Sequence, residues 1–147
     1  ATLTLIGEGD AERGLRNIAK NNDWISIIET LEKKDLAQQL ARHDIGLLPM
    51  PDSTVWRLAS PLKRSEYLSS GLLVYGIAHA GNQLPGRQEQ WIKLVERPVF
   101  HDACGPWIDS LSDVDVSQLK NNARRYAVDE LNWSNTVNVM EQLLLKN

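Results

Sequence analysis

Residues 60–77 read SPLKRSEYLSSGLLVYGI, a helix signal that passes through Gly71 into a short apolar run. Ser60 is a good N-cap and Pro61 suits the first helical position. Lys63 and Arg64 then stand where a helix start prefers acids. The amides there carry about half a positive charge, so two cations cost a few tenths to ~1 kcal/mol unless an anion joins them. LLVYGI, rich in Leu, Val and Ile, has the length and content of a buried strand.

The same alternation extends in both directions. Short apolar runs predict strands at 2–6, 24–28, 44–49 and 72–77, and a weaker one at 98–100. Helices are expected between them. The first runs from Asp10 or Ala11 to Asn21, with Asp10 as N-cap and Leu15, Ile18 and Ala19 at core spacing. A second, at 34–42, turns Leu36 and Leu40 inward, and the third is the opening stretch. Gly and Pro in HAGNQLPGRQ predict a loop ahead of Trp91 and Leu94, and helices near 105–112, 116–130 and 134–146 close the chain. The expected class is α/β: a Rossmann-like open parallel sheet of about five strands, helices on both faces, C-terminal helices, and a single domain.

Composition narrows the function. A chain of 147 residues with 42% apolar and 24% charged content suits one globular domain. The net charge of −3 gives no electrostatic reason to expect nucleic acid or an anionic membrane as partner. Apolar runs are broken by Gly or Pro after a few residues, so no membrane span is expected in this segment. The single cysteine, Cys104, leaves no internal disulfide or thiolate metal cage and points to a reducing, cytoplasmic compartment. ATLTLIG opens the chain with no charged leader, so no signal peptide is expected, and a start inside an expected strand predicts a piece of something longer.

Several residues invite chemistry. In LIGEGDAERG, Gly7 and Gly9 fit a G-x-G-x-x-G phosphate turn, but Glu12 takes the third glycine's place. Glu29 lies about 20 residues on, where an acid would hold an adenosine ribose. Glu8 and Asp10 would repel a pyrophosphate, so a tight strand-to-helix turn bordering a site is favoured over dinucleotide binding. His43, His79 and His101 share no metal-ligand spacing, and a loop histidine with satisfied nitrogens is the commoner meaning of His79. His101 and Cys104 lack the surroundings of a cysteine enzyme. Of five tryptophans, Trp56 lies in the loop entering the third helix, where it either stacks on a base or sugar or anchors the loop. The amides of Leu62 and Lys63 would grip a diphosphate. Glu66 would accept hydrogen bonds from a ribose diol, the alternative being an ordinary Lys63–Glu66 pair at i, i+3.

The ordered set LTLIGEGDAERGLR, LAQQLARHDIGLLPMP, SPLKRSEYLSSGLLVYG and LNW resembles the nucleotide-sugar-binding C-terminal domain of GT-B glycosyltransferases of the large retaining group 1 type. The resemblance implies a nucleoside diphosphate sugar as donor substrate, with no separate cofactor and no metal. It implies a diphosphate at Ser60, Pro61, Leu62 and Lys63, the ribose at Glu66, and the base near Glu29, Thr30 and Leu31. Gly7, Gly9 and Trp56 would supply loop contacts. Leu58 stands where the family carries a glutamate facing the donor sugar. The resemblance further implies a parent enzyme, cytoplasmic or held at the inner face of a membrane through its missing part, that transfers a hexose with retention to an unknown acceptor. A first strand and an N-terminal acceptor domain would precede this chain, which alone would be inactive, and no catalytic residue can be named. The alternatives are a non-catalytic Rossmann-like binding or interaction domain and, weakened by the incomplete glycine pattern, a dinucleotide oxidoreductase.

Overall fold

A computed structural model describes residues 1–59, 62–84 and 89–145, and the chain divides into two compact units, 1–39 and 40–147. It is an α/β protein of parallel strands and helices. The expected run of five strands is divided into a sheet of two and a sheet of three.

In the first unit, β1 (Leu3–Ile6) and β2 (Ile25–Ile28) pair in parallel, Leu3 opposite Ile25 and Ile6 opposite Ile28. Between them lies α1 (Glu12–Ala19). Gly7 takes φ 137° as the chain leaves β1, a conformation open to glycine and strained for other residues. Asp10 does not cap α1. The N-cap is Ala11, already helical in backbone, and the entry is a turn in which Glu12 N–H donates to the Gly9 carbonyl at 3.0 Å. The expected inward positions Leu15 and Ile18 are exposed in α1, which buries no residue. Next comes α2 (Lys33–Leu40).

The second unit is built on β4 (Leu73–Ile77), all five of whose residues are buried. It is the centre of a parallel sheet between β3 (Ile45–Leu48) and β5 (Ile92–Val95). Register places Gly46 opposite Val74, and Tyr75 opposite both Leu47 and Lys93. A strand buried on both faces needs cover on both. On one side lie α4 (Leu62–Ser69) and α6 (Val116–Glu130), packed together through Leu68 and the helically spaced Leu119, Ala123 and Ala127. On the other lies α5 (Phe100–Ser110), whose Phe100 and Trp107 rings sit 5.0 and 5.3 Å from the Tyr75 ring. The Tyr75 hydroxyl donates to the Phe100 carbonyl at 2.7 Å.

Gly46 makes the α4 side possible. A Cβ there would stand 2.2 Å from the Tyr67 ring, so the missing side chain is the space that the ring fills. The return from α4 to β4 is equally specific. Gly71 takes φ 76°, its N–H donates to the Leu68 carbonyl, and Leu72 N–H reaches back to Tyr67, an αL helix end. Asp115 caps α6 by accepting from Gln118 N–H at 2.9 Å. Lys120 ties α6 to the start of β3 through the His43 carbonyl (2.9 Å) and Asp44 carboxylate (2.8 Å).

Three expectations are corrected. The strand expected at 98–100 is a 3₁₀ turn, Arg97–Val99, because Pro98 has no N–H to give a ladder; the last strand among the described residues is β5, which takes up Leu94 just after the expected loop. α5 begins at Phe100 instead of near 105 and runs through Pro106. The loop expected around Trp56 contains a short helix, α3 (Thr54–Leu58). The last helix, α7 (Trp133–Leu144), buries no residue; Trp133, Val137, Met140 and Leu144 are all exposed.

Replacing Gly46 by alanine is expected to cost about 1–3 kcal/mol through overpacking against Tyr67. Gly14→Ala, inside α1 with nothing near the added methyl, is expected to gain roughly 0.5–1 kcal/mol. Urea unfolding of both variants checks the contrast. Burial also holds the Tyr67 and Tyr75 phenols above their ordinary value. The folded chain then keeps protons that the unfolded chain releases above about pH 10, so stability falls as pH rises past that point. Tyr75→Phe is expected to flatten this alkaline loss in urea unfolding measured from pH 8 to 11.

Candidate functional site

Parallel sheets bind ligands outside the carboxyl ends of their strands, and here those ends carry most of the polar candidates. In the first unit, Gly7 N–H donates to the Ile28 carbonyl at 3.0 Å, so the glycine turn and Glu29, Thr30 and Leu31 lie at the same end of the two-stranded sheet. Glu29 and Thr30 are exposed. Glu12, in the place of the third glycine, is held along α1 by Arg16, whose Nε donates to its carboxylate at 2.8 Å. Gly9 joins Arg13, Asn17 and Lys20 in lining an open depression of about 630 Å³.

In the second unit the carboxyl ends of β3 and β4 lead to α3, α4 and the turn 79–83. Ser60 and Pro61 lie outside the described residues. Leu62 opens α4 and is exposed. Lys63 Nζ stands 3.0 Å from Glu66 Oε2, and both side chains are about half exposed, so the two predicted ligand contacts form the i, i+3 ion pair with each other. That oxygen is nevertheless enclosed and receives no aligned hydrogen bond among the described residues. Trp56 lies in α3 and is 40% exposed, so it is not the buried ring that would anchor the loop. Its carbonyl abuts Gly81, where a Cβ would come within 2.2 Å, so α3 and the turn after β4 touch backbone to backbone. Asp52 anchors α3 through a two-point pair with Arg57 at 2.5 and 2.8 Å. The Arg57 hydrogen bond holds the Asp52 carboxyl below its ordinary value.

Of the two cations at the helix start, Arg64 is the one drawn inside. Arg64 is only 8% exposed; its Nη1 donates to the Gly81 carbonyl at 3.3 Å and the Gln83 carbonyl at 2.5 Å. Its Nε has no partner among the described residues, and burial pushes the guanidinium below its ordinary value. A guanidinium stays charged at neutral pH, so this is a buried cation held by two carbonyls with no carboxylate paired to it among the described residues.

Beside it, His79 is 6% exposed and neither ring nitrogen has a partner among the described residues, against the expectation of a satisfied loop histidine. Asn82 is 1% exposed; its Nδ2 donates to the Ile77 carbonyl at 2.9 Å while Oδ1 is unpartnered. The sequence signal for this cluster was AHAGN directly after the most apolar strand, a place where polar residues need a reason.

Comparison with protein-family models and with curated proteins gives no match.

Elsewhere, His101 packs its ring edge-on to Phe100 at 5.5 Å, and burial raises the Cys104 thiol, the reverse of an activated nucleophile. Among the described residues no group of three or more His, Cys, Asp or Glu is placed to hold a metal ion, and no helix is long and apolar enough to cross a membrane.

Arg64→Met removes the tie between α4 and the turn 79–83 and is expected to cost about 1.5–3 kcal/mol in urea unfolding, the range for hydrogen bonds to a charged group. Lys63→Met, breaking only an exposed pair, is expected to stay within about 0.5 kcal/mol of the unsubstituted chain.

Proposed function

We propose that this chain binds a nucleoside diphosphate sugar and forms the donor-binding part of a retaining glycosyltransferase. The observation that carries the proposal is the buried Arg64 cation at the start of α4, beside the carboxyl end of the central strand β4. A buried cation with no paired carboxylate among the described residues favours an anion, and the amides opening α4 add donors of the same sign. The ordered resemblance to group 1 type glycosyltransferases supplies the identity of that anion. In this reading the diphosphate lies at Leu62 and Lys63, and Glu66 turns from Lys63 to the ribose diol. The exposed Lys63–Glu66 pair is worth at most about 1 kcal/mol, so a ligand separates it easily. During transfer the acceptor hydroxyl oxygen bonds to C1 as the C1–O bond to the diphosphate breaks, its proton passes to the departing diphosphate, and the cations and amides stabilise the charge gathering on the leaving oxygen. The acceptor and its binding domain belong to the longer parent, in a cytoplasmic setting.

A second reading, a non-catalytic Rossmann-like binding or interaction domain that keeps the fold without donor recognition, is favoured by Leu58. It stands in place of the family's sugar-facing glutamate and is 84% exposed at the end of α3.

Titration calorimetry with UDP, GDP, ADP and NAD tests the donor reading. One diphosphate is expected to bind and NAD is not. Glu66→Ala is expected to weaken the ribonucleotide about tenfold, the loss of one or two charge-assisted hydrogen bonds, and to leave the 2′,3′-dideoxy analogue unchanged. Preference for NAD, or no diphosphate binding, would sink the proposal.

A further inference from the structure

We infer that the turn after β4 receives hydroxyl groups of the donor's sugar, with His79 and Asn82 as the residues that recognise them. The inference rests on the donor reading above and adds a second half to that site. Its basis is an inventory of unmet atoms in one short segment. Among the described residues, Arg64 Nε–H is an unmet donor and Asn82 Oδ1 an unmet acceptor. Among the same residues His79 leaves both ring nitrogens unmet, which in a neutral imidazole are one donor and one acceptor. All belong to residues at least nine-tenths buried, where an unpaired polar group costs about 1–3 kcal/mol.

The segment is fixed. Asn82 N–H donates to the His79 carbonyl at 2.9 Å, Asn82 Nδ2 holds the Ile77 carbonyl, and Arg64 grips Gly81 and Gln83. Gly81, pressed on the Trp56 carbonyl, also lies against the His79 ring, so the turn that Arg64 grips and Asn82 fastens brings its histidine to the end of the central strand.

The balance of donors and acceptors identifies the ligand's chemistry. A phosphate group only accepts; it suits Arg64 and leaves Asn82 Oδ1 and one nitrogen of His79 unmet. A hydroxyl both donates and accepts, and two neighbouring hydroxyls meet His79 and Asn82, leaving Arg64 to the phosphate. A sugar linked to a diphosphate at α4 brings that combination. The position also explains how Leu58 is tolerated: polar recognition of the sugar passes from the end of α3 to the turn after β4.

The test uses ligands of equal charge. For the base that binds, the sugar nucleotide (UDP-glucose, GDP-mannose or ADP-glucose) is titrated against the methyl ester of the same nucleoside diphosphate, which has no sugar hydroxyls. The sugar nucleotide is expected to bind about tenfold more tightly or better. Asn82→Leu and His79→Phe are expected to bring the ratio to about one while leaving the methyl ester's affinity within about threefold. His79→Gln, which retains a donor and an acceptor, is expected to restore part of the ratio. Where a variant fails to fold, the imidazole ¹⁵N resonances of His79 in the unsubstituted chain decide: they are expected to shift with the sugar nucleotide and not with the methyl ester. Equal affinities, or silent His79 resonances, mean that internal water alone fills the turn; the inference is then overturned while the donor reading stands. Absence of binding by either ligand overturns both.

Discussion

A guanidinium is carried into a protein interior only if its N–H groups find acceptors there, and Arg64 finds two, the carbonyls of Gly81 and Gln83. That requirement organises the whole carboxyl end of the three-stranded sheet. It holds the turn after β4 against the start of α4. The turn in turn presses Gly81 on the Trp56 carbonyl and so places α3. Core packing of Leu68 on Leu119, Ala123 and Ala127 keeps α4 on the sheet, while Arg64 determines what α4 faces at its other end. The apolar and polar parts of the helix thus have separate duties.

The strands were legible where their chemistry is uniform. Leu73–Ile77 is apolar throughout and is buried throughout, so its sequence and its environment agree. β5 was hidden by Lys93, an exposed lysine in a four-residue edge strand, and by Pro98, which drew attention to a segment that cannot pair. Gly105–Pro106 has the form of a helix start, yet α5 is already under way; the ring removes one amide from a helix that Phe100 and Trp107 fasten to Tyr75. α3 carries no side-chain cap hydrogen bond at Ser53, which left only five residues of propensity to announce it.

The site was legible in part for a similar reason. Lys63 and Glu66 have the spacing of a pair and form one. Arg64, next in sequence to Lys63, has the same charge and an opposite fate, because the acceptors that bury it come 17 and 19 residues later. No local pattern announces such partners. His79 and Asn82 show the converse: their polarity after an apolar strand was visible, but their unmet nitrogens and oxygen appear only once the turn is folded around them.

Gly71 gives this arrangement a thermodynamic character. Through its left-handed backbone α4 passes into β4 with only Ser70, Gly71 and Leu72 between them, and hydrogen bonds to Leu68 and Tyr67 close that bend. Arg64 near the start of the helix and His79 beyond the end of the strand are therefore spaced by continuous backbone hydrogen bonding, not by side-chain rotamers. Their conformational entropy is lost when the domain folds, so it is not lost again when a ligand arrives. A ligand meeting such a frame would have only side chains left to order, and the backbone that carries them would already be fixed.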